Sequence, residues 1–220
     1  MASELAWKAR DPDRRRDLLL LAAERVFGRK PYDETSMHEI AEEAQVGIQR
    51  CYECFPTKEA LYQEMHLLHA KAFQTCARDI TDTGLSAEAE LRALTFAVVR
   101  HFYDRPFALP VFVRSRSVFD WGLESRFTAT LSIYQACRAQ FQQCIAKLAD
   151  SGRLRPLPLA FLTELYLDIL QACLHFQHRC PNDEEVPACV ARAIDSFLLG
   201  AGERQPSSSG STDWEEGILI

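Results

Sequence analysis

The sequence predicts an all-α protein in two parts, a small N-terminal unit of short helices followed by a larger helical bundle. Apolar residues recur at spacings of three and four along most of the chain, and the alternation of β-branched residues that marks strands is missing. Helix caps and breakers fall between the periodic segments. The 220 residues, 47% hydrophobic and 25% charged, suit one large domain or a small one fused to a larger one.

The first helix is expected over 13–28. There Leu19, Ala22, Ala23, Val26 and Phe27 follow i, i+3, i+4, i+7 and i+8, one stripe facing a core, and Pro31 stops the helix. Ser36 opens the second. With Glu39 it has the S-x-x-E spacing of a capping box, in which each side chain satisfies the other's free backbone N–H. Met37, Ile40, Ala41 and Ala44 form its buried face. A turn at Gln45–Gly47 leads to a third short helix over 48–54, and Thr57 caps a fourth that runs to about 80. After a break at Asp82–Ser86, helices are expected over 87–104 and 107–116, divided by Pro106. The next spans 123–150 and stops at Ser151-Gly152. Pro156 and Pro158 precede one over 159–179, and Pro181 and Asn182 separate it from the last, over 184–200. From Glu203 onward Ser, Gly and acids predict a disordered tail.

Composition narrows the function. The net charge of −6 argues against a nonspecific polyanion binder but leaves room for a local DNA-binding surface. Eight basic residues stand against four acids between Lys8 and Lys30, so the basic signal belongs to the first helix; a solvated helix face would look the same. No apolar run approaches the roughly 20 residues of a membrane span. The first 15 residues carry charges of both signs and no apolar leader core. A cytoplasmic protein with no membrane partner is therefore expected, and its eight scattered cysteines are read as reduced thiols. There is no phosphate-binding glycine loop, HExxH or paired-carboxylate motif, so no catalytic residue, metal ligand or cofactor is assigned and an enzyme is not expected.

Three short helices, the second capped and the third following a tight turn, suit a helix-turn-helix, whose last helix enters the major groove of double-stranded DNA. The stretch LLAAERVFGRKPYDETSMHEIAEEAQVGIQRCYECFPTKEALYQEM resembles the N-terminal domain of the tetracycline-repressor (TetR) family. Matching positions include Ala22-Ala23, Phe27, Tyr32, Thr35-Ser36, Ile40-Ala41, Ala44, Val46, Tyr52, Phe55, Lys58-Glu59 and Leu61. The resemblance implies that the third helix lies in the major groove and that Tyr52 and Lys58 touch phosphates. Ile48, Gln49 and Arg50 open that helix; Gln49 suits adenine and Arg50 guanine. With Ser36 and Gly47 at the helix starts, these residues make the expected DNA-facing set, and residues 1–58 the DNA-binding domain. The sequence departs from the family pattern at Pro31, where glycine is usual, at Gln45 in place of the turn glycine, and at Gly47 in place of a Ser or Thr cap. It also departs at Cys51 and Glu53.

Residues 59–202 are expected to form a helical ligand-binding and dimerisation domain, with 203–220 as the tail. Along the helix over 123–150, Phe127, Leu131, Tyr134, Arg138, Phe141, Ile145 and Leu148 read as one inward stripe with Arg138 its only charge. A buried cation needs a partner: an acid such as Asp168 or Glu164, or the anionic group of an effector. Aromatics concentrate between 96 and 141, which favours a ring-lined pocket for a small, mostly apolar effector. Its expected lining is Phe96, Phe102, Tyr103, Phe112, Trp121, Tyr134, Arg138 and Phe141. Helices 159–179 and 184–200 are apolar on more than one side, and the resemblance implies that they pair across a two-fold axis as a four-helix homodimer interface. A ligand-released repressor on a palindromic operator is the function expected. The alternatives are a thiol-based redox or metal sensor using Cys51/Cys54, Cys137/Cys144 or Cys173/Cys180, or a helical adaptor without DNA binding.

Overall fold

The computed structural model describes residues 11–114, 128–179 and 186–202, without the side chains at 113–114, 128–134 and 177. Helix α1 (Pro12–Arg29) starts at Asp11, which accepts from the Asp13 amide, and has proline at its first position, where no amide donor is missed. A single 3-10 turn (Tyr32–Glu34) leads to α2 (Met37–Glu43), whose Ser36/Glu39 capping box is complete. Helix α3 covers Ile48–Cys54, and α4 (Lys58–Thr81) is capped by Thr57. Then follow α5 (Ala87–Tyr103), α6 (Ala108–Arg114), α7 (Thr128–Asp150), α8 (Leu159–Arg179) and α9 (Val186–Ala201). These boundaries match the sequence expectations to within a few residues. Expectations for 115–127, for 180–185 and for the tail lie outside the described residues.

The turn between α2 and α3 closes as a Schellman motif. The Gln45 amide donates to Glu42 O (3.0 Å) and the Val46 amide to Ala41 O (2.9 Å). This places Gln45 at φ +54°, the left-handed position that glycine fills without a Cβ clash. Gln45→Gly is therefore expected to raise unfolding free energy by about 1 kcal/mol, readable as a shift in the denaturation midpoint.

Helices α4, α5, α7, α8 and α9 pack into the bundle. Helix α8 contains one stretch, Leu159–Phe176, long and apolar enough to cross a membrane by length and composition. Its Leu162, Tyr166, Leu167, Leu170 and Leu174 are nonetheless buried against the neighbouring helices. The N-terminal unit meets the bundle through α1, which packs on α4 and α6. Gly28 is a point of close approach: a Cβ there would lie 2.6 Å from the Phe107 carbonyl oxygen. One turn earlier, the buried Glu24 of α1 meets His69 of α4, Oε2 to Nε2 at 3.1 Å, and Arg105 after α5, at 3.6 Å. His69 Nδ1 lies 2.8 Å from His101 Nε2.

Candidate nucleic-acid interface

Helix α3 is anchored on one side by Cys51 and Phe55, 0% and 1% exposed. With those two facing inward, the 3.6-residue period turns Gln49, Arg50, Tyr52 and Glu53 outward, and all four are exposed. Ile48 packs partly against the core, so it is less accessible than its place at the helix start suggests. Gly47 caps α3 without a side-chain bond, and Ser36 is committed to the capping box of α2. Lys58 stands at the N-terminus of α4, but its amino group is turned inward. It donates to Tyr32 O (2.8 Å) and Thr35 O (2.7 Å) and sits 4.2 Å above the Tyr32 ring. An ammonium has three N–H groups, so one is left for a further acceptor.

Much of the basic character of α1 serves the fold. Arg25 and Arg29 reach Glu43 at 3.6 and 2.9 Å, Lys30 pairs with Glu39, and Arg15 lies 3.6 Å from Glu53. Lys30, with the Ser36 amide, holds the Glu39 carboxyl below its ordinary range. Acids on α2 and α3 thus answer the positive face of α1, which composition alone could not separate from a DNA-binding face.

The residues expected to line a pocket do not converge. Phe102 and Phe112 are buried and meet edge-to-face at 5.3 Å, beside His66 and His69. Phe141 belongs to a different cluster, stacked 5.7 Å from Phe73 and tilted against Tyr166 at 5.7 Å. Phe96 and Tyr103 stand 44% and 49% exposed on α5. The inward face of α5 runs through Leu91, Leu94, Val98 and Phe102, and Phe96 and Tyr103 are out of phase with it. Trp121 and the side chain of Tyr134 lie outside the described residues, as do the side chains of Phe127 and Leu131.

The inward face of α7 likewise runs through Cys137, Phe141, Cys144, Ile145 and Leu148, which places Arg138 at its margin. Arg138 donates to Glu164 Oε1 from Nε (3.0 Å) and from Nη2, and to Gln142 (3.1 Å). Glu164 is one of the two acids expected as a protein partner. The pair is half-open, with side chains 23% and 45% exposed, so Arg138→Met is expected to lower stability by only about 1 kcal/mol in a thermal melt. A surface cleft of about 380 Å³ lies between the start of α5 and the end of α7, lined by Glu88, Arg92, Lys147 and Arg153. Each of these cations already has a carboxylate: Glu88 and Asp195 for Arg92, Glu90 for Lys147, Glu88 for Arg153.

Among the described residues the cysteines are free. Burial pushes the thiols of Cys137 and Cys144 up to about 12, where the reactive thiolate is scarce. The described residues hold no cluster of three or more His, Cys, Asp or Glu able to bind a metal.

A capped second helix, a tight turn and a third helix with exposed polar side chains form a helix-turn-helix unit mounted on a helical bundle. Residues 19–65 match the family described as bacterial regulatory proteins, tetR family. The fold is shared with the ketosteroid transcriptional regulator KstR2 of Mycobacterium tuberculosis, with 17% identity, TM-score 0.70, and 86% of this chain and 96% of that one covered. It is shared with the fatty acid degradation regulator FadR from Bacillus halodurans, with 14% identity, TM-score 0.71, and 84% and 98% covered. The TetR family transcriptional regulator PfmR from Thermus thermophilus is similar at 21% identity and TM-score 0.64, with 84% and 99% covered. A search of curated protein sequences finds no match. Residues 19–65 thus carry the N-terminal segment of that family, and the chain shares the fold of its regulators.

Proposed function

We propose that this protein is a ligand-responsive repressor that binds a palindromic operator as a homodimer and leaves it when a small, mostly apolar effector enters the helical domain. The observation that carries the proposal is α3, fixed through Cys51 and Phe55 with Gln49, Arg50 and Tyr52 on its free face. Residues 1–58 form the DNA-binding domain and 59–202 the effector and dimer domain, a protein of the cytoplasm and not an enzyme. Uncovered apolar side chains on α8 and α9, Phe161 and Phe176 on the first and Leu199 on the second, support pairing through these helices. An apolar effector is in keeping with the ketosteroid and fatty acid regulators that share the fold. The burial of Cys137 and Cys144 weighs against the thiol-sensor alternative.

Selection of bound duplexes from genomic fragments tests the DNA reading, and two variants test the roles. Arg50→Ala should cost about 1–3 kcal/mol on the best site and relax preference at one base pair. Lys58→Ala should weaken all sequences about equally and reduce the salt slope by roughly one. A uniform loss for Arg50→Ala makes it a phosphate contact, and a footprint on one asymmetric half-site removes the palindrome.

A further inference from the structure

We propose that Arg16 is a positioning residue for DNA binding, a clamp that sets the tilt of α3; this rests on the reading of α3 as the DNA-facing helix. Its guanidinium is engaged inside the protein on three sides. Nη1 donates to the carbonyl of Cys54, the last residue of α3, at 2.8 Å. Nε donates to Glu64 Oε1 at 2.7 Å, and Nη2 to Glu64 Oε2. The central carbon of the group lies 4.3 Å from the Phe55 ring centre. One side chain on α1 thus ties the C-terminal end of α3 to α4.

Helix α3 needs such a tie. It has seven residues, too few to hold its own shape, and no side-chain cap at its start. Its final carbonyls have no intrahelical donors, and a cation there is favoured by the helix dipole. The Arg16–Glu64 pair is 40% and 36% exposed, so its worth to stability is small. What the fork supplies is direction. Two parallel bonds to a carboxylate fix the plane of the guanidinium, which fixes the third bond to Cys54 O and the ring of Phe55 beneath. A lysine offers the charge without that geometry. Three of its five N–H groups are committed inside the protein, which places Arg16 to orient the helix.

The test uses full-length protein and a duplex that the wild type selects from a random-sequence pool, with a random duplex as the nonspecific reference. Arg16→Lys, Arg16→Met and Glu64→Gln are compared, each first shown by thermal melting to be folded. All three should lose affinity for the selected duplex by roughly ten- to a hundredfold, the worth of about one base contact. The slope of log affinity against log salt should stay at the wild-type value. Glu64→Gln is the sharpest arm, because removing an acid near DNA should by charge alone tighten binding. The double variant Arg16→Met/Glu64→Gln should lose no more than either single one. Tighter binding by Glu64→Gln overturns the clamp, as does a slope lower by about one in Arg16→Met, which would make Arg16 a phosphate contact. Wild-type affinity in all variants also sinks the clamp while leaving the DNA-binding reading intact. A wild type that selects no duplex removes that reading, and the clamp with it.

Discussion

Unfolding free energy is expected to fall steeply as the pH drops from 6.5 to 4.5. Burial pushes His66 down to about 3, with the charge of His69 adding to it. Burial likewise pushes His101 down to about 4, helped by His69 and Arg105 and opposed by Glu24 and Asp104. Both histidines are neutral in the folded protein at pH values where the unfolded chain binds a proton. Below 6.5 the unfolded state holds more protons, so stability falls with pH. The loss for each group levels off only below its folded value. Each histidine contributes about 1.4 kcal/mol per pH unit, giving roughly 4 kcal/mol for the pair across the window. The carboxyls held low, Glu39 and Glu88, add their loss only below 4.5. Denaturant titrations at half-unit steps measure the slope, and His66→Phe should remove about half of it. A flat profile would mean that water reaches both rings.

Phe141→Ala is the substitution expected to cost most, about 3–5 kcal/mol. The ring is fully buried and lies nearly parallel to Phe73, at 9°. It also meets Tyr166, which in turn meets Phe197 of α9 at 5.1 Å. Truncation leaves a cavity between Phe73 of α4 and Tyr166 of α8 that the surroundings fill only in part. Were Phe141 instead the wall of an open effector pocket, the same truncation would enlarge the pocket at small cost. Melting of the variant without ligand separates a core residue from a lining one.

The helix boundaries are legible in the sequence because their signals are local. Ser36 and Glu39, Thr57, Pro31 and the Ser151-Gly152 stop each act within a few residues of the backbone groups they satisfy or deny. The outward face of α3 is legible for the same reason, once the helix start is placed. Aromatic side chains are harder. Phe96 and Phe102 are six residues apart, yet only Phe102 shares the phase of Leu91, Leu94 and Val98. Counting rings along a segment ignores that phase. The stripe read on α7 holds at Phe141, Ile145 and Leu148 and misses at Arg138, where the inward position is Cys137, a small apolar residue that a search for large side chains passes over. Contacts between distant residues leave little trace. Glu24 carries a faint one, because it sits at i+4 from Leu20 and three before Phe27, on an apolar flank of α1. The partners of Glu24 and Arg16 lie 45 and 48 residues further on in the chain, at His69 and Glu64. Nothing local to α1 names either of them.

The Glu24 contact bears on how readily such heads can be exchanged between regulators. A chimera joined at the start of α4 would bring this chain's α1 onto a foreign body. Glu24 would then enter a site without the imidazole and guanidinium that receive it here, and a buried carboxylate left alone costs several kcal/mol. The reverse graft, a foreign head on this body, would need a glycine wherever its first helix crosses the Phe107 carbonyl. The practical unit of transplantation is therefore larger than the helix-turn-helix: it includes Gly28, His69, His101 and Arg105, and a graft carrying all of them should keep the register between head and body.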